Sequence, residues 1–227
     1  MSVTTSQWAD AAAVAVGATS SPTAADIADY DTQLLVARFR FGIEVVDPRV
    51  FELEDEQLDQ AFLPEAGVGR WPVRVLLGHL ADAELAFHHR IRRTLAEDRP
   101  VIGVWDQNAF IDAGLYGGGY GTDSKPPIAG FIATVHTLRR WTSELLVSLT
   151  HDQWCRTALH PEFGQCTVRW FVAIATWHIE HHNRFLQAKL DRMLGPRPEP
   201  EPCDNEAPPE GGCGPSCGCV GDAGNGG

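Results

Sequence analysis

Two histidines, His178 and His182, stand one helical turn apart in the segment TVRWFVAIATWHIEHHNRFLQAKLDRML. Apolar residues recur there at helical spacing, and both histidines fall within that apolar stripe, so both imidazoles point into a predicted core. A buried imidazole without a partner costs about 1–3 kcal/mol, and here two would lie side by side. A single metal ion bonds to both, at about 2.0–2.1 Å from each nitrogen. The pair therefore predicts a metal site.

His79 is a third candidate ligand, because it lies in the apolar stripe of an earlier predicted helix, LLGHLADAE. Three imidazoles leave coordination positions open for water or a substrate, which is typical of catalytic rather than closed structural sites. Asp82 follows one turn later and is the candidate catalytic residue, either orienting a ligand or facing the open position. Alternatives stay open, since His79 alone also fits a hydrogen-bonded core histidine, and His181 also lies one turn after His178. We prefer His182, because His181 lies on the flank of the polar face.

The elements that position these residues are four long amphipathic helices, with a long connection between the second and the third. Helix starts are predicted at Thr23, Pro72 and Thr167. A threonine hydroxyl can accept a hydrogen bond from a free N–H group of the first turn, and proline has no N–H group that would be left without a partner there. No segment shows the convincing alternation that is typical of strands. The sequence therefore predicts an all-α four-helix bundle with a long crossing loop. The four long helices are predicted from Thr23 to about 45, from Pro72 to near Pro100, from 128 to 149 and from Thr167 to Gly195. A short acidic helix is predicted at 54–62, and the crossing loop at 101–127.

The composition is that of a globular protein, and it excludes some classes of partner. The chain has 227 residues, 44% of them hydrophobic, and a net charge of −12 without any block of Lys or Arg. Binding to nucleic acid or to an anionic membrane surface through basic patches is therefore not expected. No apolar run approaches the roughly 18 residues of a membrane span. No Lys or Arg precedes Arg38, so the basic region of a signal peptide is missing, and we interpret the protein as cytoplasmic.

Composition also divides the chain into a flexible N-terminus at 1–22, the bundle at 23–195 and an acidic tail at 196–227. The tail is rich in Pro and Gly and lacks aromatic residues. Its cysteines do not show the paired C-x2-C spacing of a zinc ribbon. We keep three interpretations of it: a disordered appendage, a secondary soft-metal site, or a tethered thiol that reaches the metal of the bundle. The cysteines concerned are Cys203, Cys213, Cys217 and Cys219.

Four segments together resemble the DinB/YfiT-like superfamily of metal-binding four-helix bundles. They are GVGRWPVRVLLGHLADAE, WDQNAF, HPEFGQCTVRW and WHIEHHNRF, and the resemblance covers residues 25 to 194 or so. In that family one ligand comes from an H-L-x-D context on the second helix, which matches His79. Two more come from an H-x-x-x-H on the last helix, which match His178 and His182. The resemblance thus selects His182 over His181, whereas the cysteine-rich tail has no counterpart in the common domain.

The resemblance also implies an activity. Relatives include metal-dependent transferases and isomerases that use low-molecular-weight thiols such as mycothiol and bacillithiol, and a hydrolase-like activity is known as well. The implied mechanism holds a thiol as its thiolate at the open metal position, from which it attacks an electrophile in the mouth of the bundle. The divalent ion could be zinc, nickel, manganese or iron, because three imidazoles do not select among them.

The leading hypothesis is thus a metal-dependent, thiol-using S-transferase or related hydrolase whose partners are a thiol and a small-molecule electrophile. Asp82 and Asp106 are its candidate general bases. A second hypothesis is a protein that binds, stores or delivers soft metal through the cysteines of the tail. A third is a bundle that serves only as a dimerisation module, which predicts a homodimer without metal.

Overall fold

A computed structural model of the chain describes residues 21–117 and 125–197. Most of the predicted N-terminal segment, part of the crossing loop with Gly118 and Gly119, and the tail with its four cysteines lie outside these residues. The elements, in chain order, are α1 (Ala24–Ala28), α2 (Thr32–Phe41), α3 (Asp55–Leu58), α4 (Val73–Ala96), α5 (Gln107–Asp112), α6 (Ile128–Leu146), α7 (His151–Trp154), β1 (Thr157–His160), β2 (Gly164–Thr167) and α8 (Val168–Leu194), with 3-10 turns at Pro48–Glu52 and Pro64–Ala66.

The four long helices α2, α4, α6 and α8 form the predicted four-helix bundle. Helix α4 packs against both α6 and α8, and α2 packs against the same two helices from the other side. The apolar core has two clusters, one around Phe39, Phe87 and Phe171 and another around Leu77 and Ile179. None of the described helices is long and apolar enough to cross a membrane. The predicted fold class is confirmed.

Helix starts follow local hydrogen bonding, as the sequence predicts. The Thr23 hydroxyl accepts the N–H of Asp26, and the Asp26 carboxylate accepts the N–H of Thr23 in return. Thr167 caps α8 by accepting the N–H of Trp170 at 3.0 Å. Pro72 stands one residue earlier than predicted, at the N-cap of α4 rather than in its first turn. The two threonine caps each satisfy a donor that would otherwise lack a partner at the helix terminus, whereas Pro72 has no side chain that can accept such a bond.

The first predicted helix is interrupted, which is one difference from the sequence analysis. Helix α1 ends at Ala28, and Asp31 starts α2 by accepting the N–H groups of Gln33 and Leu34 at 2.9 and 3.0 Å. Aspartate competes for backbone donors in this way and so favours a new cap over a continuous helix. The single helix predicted from Thr23 to about residue 45 is therefore wrong.

A short antiparallel hairpin is the second difference. Strands β1 and β2 pair from Thr157 with Thr167 to His160 with Gly164, and Gly164 has a φ of +71° that suits glycine. The chain after α4 joins this hairpin, because Ile102 donates to the carbonyl of Leu159 at 2.9 Å. Each strand has only four residues, so too few positions alternate for a sequence pattern to be visible.

A buried ion pair connects the helices. The Arg139 guanidinium on α6 donates to the Glu84 carboxylate on α4 at 2.8 Å, and both side chains are almost completely buried. It also donates to the carbonyl of Phe39 at 2.6 Å, near the end of α2, and to that of Ala175 at 2.7 Å, on α8. One side chain therefore bonds to three neighbouring helices.

Replacing Arg139 by methionine should lower the free energy of unfolding by about 3–5 kcal/mol, since the Glu84 carboxylate would stay buried without its counter-charge. The control is Arg140→Met, because Arg140 is exposed and its nearest carboxylate oxygen lies 3.6 Å away. That substitution should change stability by less than about 1 kcal/mol. Urea denaturation of both variants measures the difference, and equal stabilities would contradict the assigned role of Arg139.

Gly78 on α4 leaves room for the aromatic ring of Tyr116, which lies at the end of the described part of the crossing loop. A Cβ atom at this position would overlap the ring. We therefore expect Gly78→Ala to destabilise the protein by about 1–3 kcal/mol, despite the higher helix propensity of alanine. Gly130→Ala on α6 has nothing within 4 Å of the new Cβ and should be neutral or stabilising by up to about 1 kcal/mol. The same destabilisation from both variants would count against close packing at Gly78.

Candidate metal centre

The three predicted ligands converge between two helices. His79 comes from α4, and His178 and His182 come from successive turns of α8. The Nε2 atoms of His79 and His178 are 3.0 Å apart, and one ring nitrogen from each histidine lies within 4.8 Å of the others. His181 points elsewhere, because it stacks on Trp177 and its Nδ1 contacts the Arg184 guanidinium at 3.1 Å. The structure thus assembles the set of His79, His178 and His182, not the alternative with His181.

The arrangement of nitrogen atoms fits a cation. Two Nε2 atoms at 3.0 Å cannot both present lone pairs to each other without repulsion, so one must carry a proton or a positive ion must lie beside both. Two ligands of a tetrahedral ion at 2.0–2.1 Å are roughly 3.3 Å apart, close to the observed spacing. The Nδ1 atoms of His79 and His182 are buried and have no hydrogen-bond partner among the described residues. Three neutral imidazoles, two of them with an unsatisfied nitrogen, therefore suit a single divalent ion.

Burial keeps these imidazoles in the form that binds metal. It lowers the pKa of His79 to about 4. Burial and the neighbouring imidazole of His79 lower the pKa of His182 to about 3. The pKa of His178 is also well below its ordinary value, mainly through burial and then through His182. At neutral pH all three rings are uncharged, so each has a lone pair available to a metal ion.

Aromatic rings form the walls of the site. Trp71 lies with its ring centroid 4.9 Å from that of His79, and it stacks on His182 at 5.9 Å. Trp105, from the crossing loop, also stacks on His79, with ring centroids 5.4 Å apart, and the ring of Phe87 lies 5.8 Å from that of His178. These rings limit the access of water to the nitrogens. Trp71 was not among the residues predicted for the site, although its position directly before Pro72 places it at the start of the helix that carries His79.

Asp82 is half-buried and accepts a hydrogen bond from the Tyr116 hydroxyl at 2.7 Å. Burial and this carboxylate raise the pKa of Tyr116 above its ordinary range, so the hydroxyl stays protonated and keeps donating. Asp82 makes no hydrogen bond to any of the three imidazoles, and its catalytic role stays a prediction. Asp106, the other candidate base, caps α5 by accepting the N–H groups of Asn108 and Ala109. Tyr116 could not be found from the sequence, since nothing local links it to Asp82.

A cavity of about 160 Å³ adjoins the imidazole of His182. Trp71 and Phe185 form the apolar walls of this cavity. The rest of its lining comes from the loop before α4 and from Lys189. Lys189 is buried, and its ammonium donates to the carbonyls of Val68 and Gly69. Burial lowers the pKa of Lys189 to about 8, so at neutral pH most molecules carry the charge. The sequence pattern places Lys189 in an apolar stripe but does not indicate this cavity.

Comparisons with known proteins agree with this geometry. The family model of the DinB superfamily matches residues 38–186. A protein of Oceanobacillus iheyensis is 33% identical over 134 residues, which cover 59% of this chain and 70% of that relative. A protein of Bacillus pumilus is 34% identical over 136 residues, covering 58% and 69%. Both bear names that describe candidate metal-dependent hydrolases.

A solved structure has the same architecture. YfiT from Bacillus subtilis, described as a candidate metal-dependent hydrolase with an unusual four-helix bundle topology, superimposes with a TM-score of 0.60 at 23% sequence identity. The match covers 71% of this chain and 87% of that one. The family match extends over more than half of the chain, from α2 to the last turns of α8, and includes all three histidines. The chain belongs to the DinB superfamily.

Proposed function

We propose that this protein is a metal-dependent enzyme that holds one divalent ion with His79, His178 and His182. The observation that carries the proposal is the convergence of three uncharged imidazoles, two of them with buried Nδ1 atoms that lack a partner. The names of its relatives, which describe candidate metal-dependent hydrolases, support a reaction of that general class. Zinc, nickel, manganese and iron all accept imidazole nitrogen, so the identity of the metal is left to experiment.

A bound ion would supply Lewis acidity and lower the pKa of a water or thiol at its open position. Residues of the chain would position the ion, exclude water and accept a proton. The three imidazoles would fix the position of the ion, and Trp71 and Trp105 would keep bulk water from those imidazoles. Asp82 has one carboxylate oxygen hydrogen-bonded to the Tyr116 hydroxyl, which orients the group, and its other oxygen would accept a proton if Asp82 acts as the general base.

The nucleophile distinguishes the two forms of the proposal. With water the reaction is a hydrolysis: the water oxygen bonds to the electrophilic carbon, the bond from that carbon to the leaving group breaks, and a water proton passes to the leaving group. With a low-molecular-weight thiol it is an S-transfer: sulfur bonds to the same carbon, the bond to the leaving group breaks, and the thiol proton passes to the leaving group. The resemblance to thiol-using members of the superfamily supports the second form. Assays that compare hydrolysis with consumption of an added thiol separate the two.

Replacing His178 by alanine should abolish stoichiometric metal binding, because two imidazoles cannot complete the ligand set. We expect about one ion per chain in the wild-type protein after loading with Zn²⁺ and dialysis, and only a small fraction of that in the variant. His181→Ala is the matched control, since His181 lies on the same helix but points away from the site. Elemental analysis measures both. Full metal content in His178→Ala would exclude this assignment.

A second experiment separates the bundle from the tail. Serine in place of Cys203, Cys213, Cys217 and Cys219 should leave the bundle's ion in place, because the proposal assigns that ion to the three imidazoles alone. Retention of about one ion per chain is the expected result by elemental analysis under reducing conditions. Loss of the ion in this variant, with retention in His178→Ala, would instead favour soft-metal binding and delivery by the tail.

A further inference from the structure

The cavity beside His182 has the size and lining of a binding site for part of a small molecule. Its volume is about 160 Å³, similar to an engineered protein cavity of about 150 Å³ that binds benzene. Trp71 and Phe185 supply apolar surface, and His182 connects the cavity to the three-histidine centre. A group bound here would therefore lie directly beside the ligands of the proposed metal ion.

The charges of the cavity are all positive. Lys189 and Arg70 both line it, and none of its lining residues is an aspartate or glutamate. The ammonium of Lys189 is buried, and its hydrogen-bond partners are neutral backbone carbonyls rather than carboxylates. Arg70 is exposed at the cavity and forms no side-chain hydrogen bond or ion pair with the described residues. A buried cation without a counter-ion is costly, and an anionic ligand would compensate it.

We propose that this cavity binds a carboxylate-bearing part of the substrate, with an apolar body against Trp71 and Phe185 and the carboxylate at Arg70 and Lys189. The reacting end would then face His182. This inference rests on the proposed function, because it names the class of small molecule that the same centre would process. A guanidinium pairs with a carboxylate through two parallel hydrogen bonds, whereas an amide offers no such match.

Lys189 also has a structural use, since it anchors the loop at Val68 and Gly69. That use alone explains neither the second cation at Arg70 nor the space between Arg70 and the aromatic walls. The two interpretations make different predictions for Arg70. If Lys189 only anchors the loop, replacing Arg70 should not affect the binding of small anions. If the cavity is a binding site, the affinity for small anions should depend on Arg70.

The test uses benzoate and its neutral analogue benzamide as probes of the full-length protein after removal of metal by chelation. Without metal, a carboxylate cannot bind to the ion itself. Isothermal titration calorimetry should show benzoate binding at least about tenfold more tightly than benzamide. Arg70→Met should weaken benzoate binding about tenfold without affecting benzamide, and Arg70→Lys should recover part of it. The control Arg192→Met, an exposed arginine outside the cavity, should bind benzoate normally.

Lys189→Met provides a second variant, which should also weaken benzoate binding provided that its circular dichroism and melting show a folded protein. The inference is overturned if benzamide binds as tightly as benzoate, or if Arg70→Met binds benzoate as Arg192→Met does. Either result leaves the metal assignment untouched, because elemental analysis of the His178 variant tests that separately. Conversely, a chain that binds benzoate through Arg70 but takes up no metal would retain this site and lose the proposed function.

Discussion

The position of every long helix depends on the guanidinium of Arg139. A buried guanidinium has no water to bond with, so its N–H groups must be satisfied by protein atoms at fixed distances. Its partners are Glu84 on α4 and the carbonyls of Phe39 and Ala175 on α2 and α8. Helix α4 carries His79 slightly more than one turn before Glu84, and α8 carries His178 one turn after Ala175. A polar contact that is not itself part of the site therefore joins the two helices that carry the imidazoles.

The proposed metal centre and the cavity beside it both contribute positive charge. Imidazoles are uncharged ligands, so a divalent ion held by three of them retains its full positive charge. The neighbouring cavity adds Lys189 and Arg70 to that charge, in a chain whose net charge is −12. Acidic residues thus dominate the molecule as a whole but do not line this cavity. Positive charge is thus concentrated at this place in a chain whose overall charge is negative.

Much of the scaffold could be predicted from the sequence because it depends on local rules. The Thr23 and Thr167 caps are readable over three residues, and the helical spacing of His178 and His182 places both on one face. His79 could be added because it too lies in an apolar stripe. The resemblance to the DinB/YfiT-like superfamily chose between His181 and His182, and the structure assembles the same three residues.

Other parts could not be predicted because they join distant segments. Tyr116 reaches Asp82 across 34 residues, and the Arg139–Glu84 pair spans 55. The interruption at Asp31 and the hairpin at 157–167 involve too few residues to disturb the helical pattern around them. No pattern in the sequence predicts the cationic cavity. Arg70 belongs to a loop, and Lys189 is one position in the apolar stripe of a helix, so nothing in the sequence indicates that the two side chains line one cavity.

The two helices that supply the imidazoles are far apart in the chain, since His79 and His178 are separated by 99 positions in sequence. An ion held by both acts as a reversible cross-link that exists only in the folded state. Binding then adds to stability by mass action, about 2.7 kcal/mol when free metal is a hundredfold above its dissociation constant. The melting temperature and the resistance of the chain to proteolysis thereby become functions of metal supply. A shortage of the ion would then lower the stability of the folded chain as well as its activity.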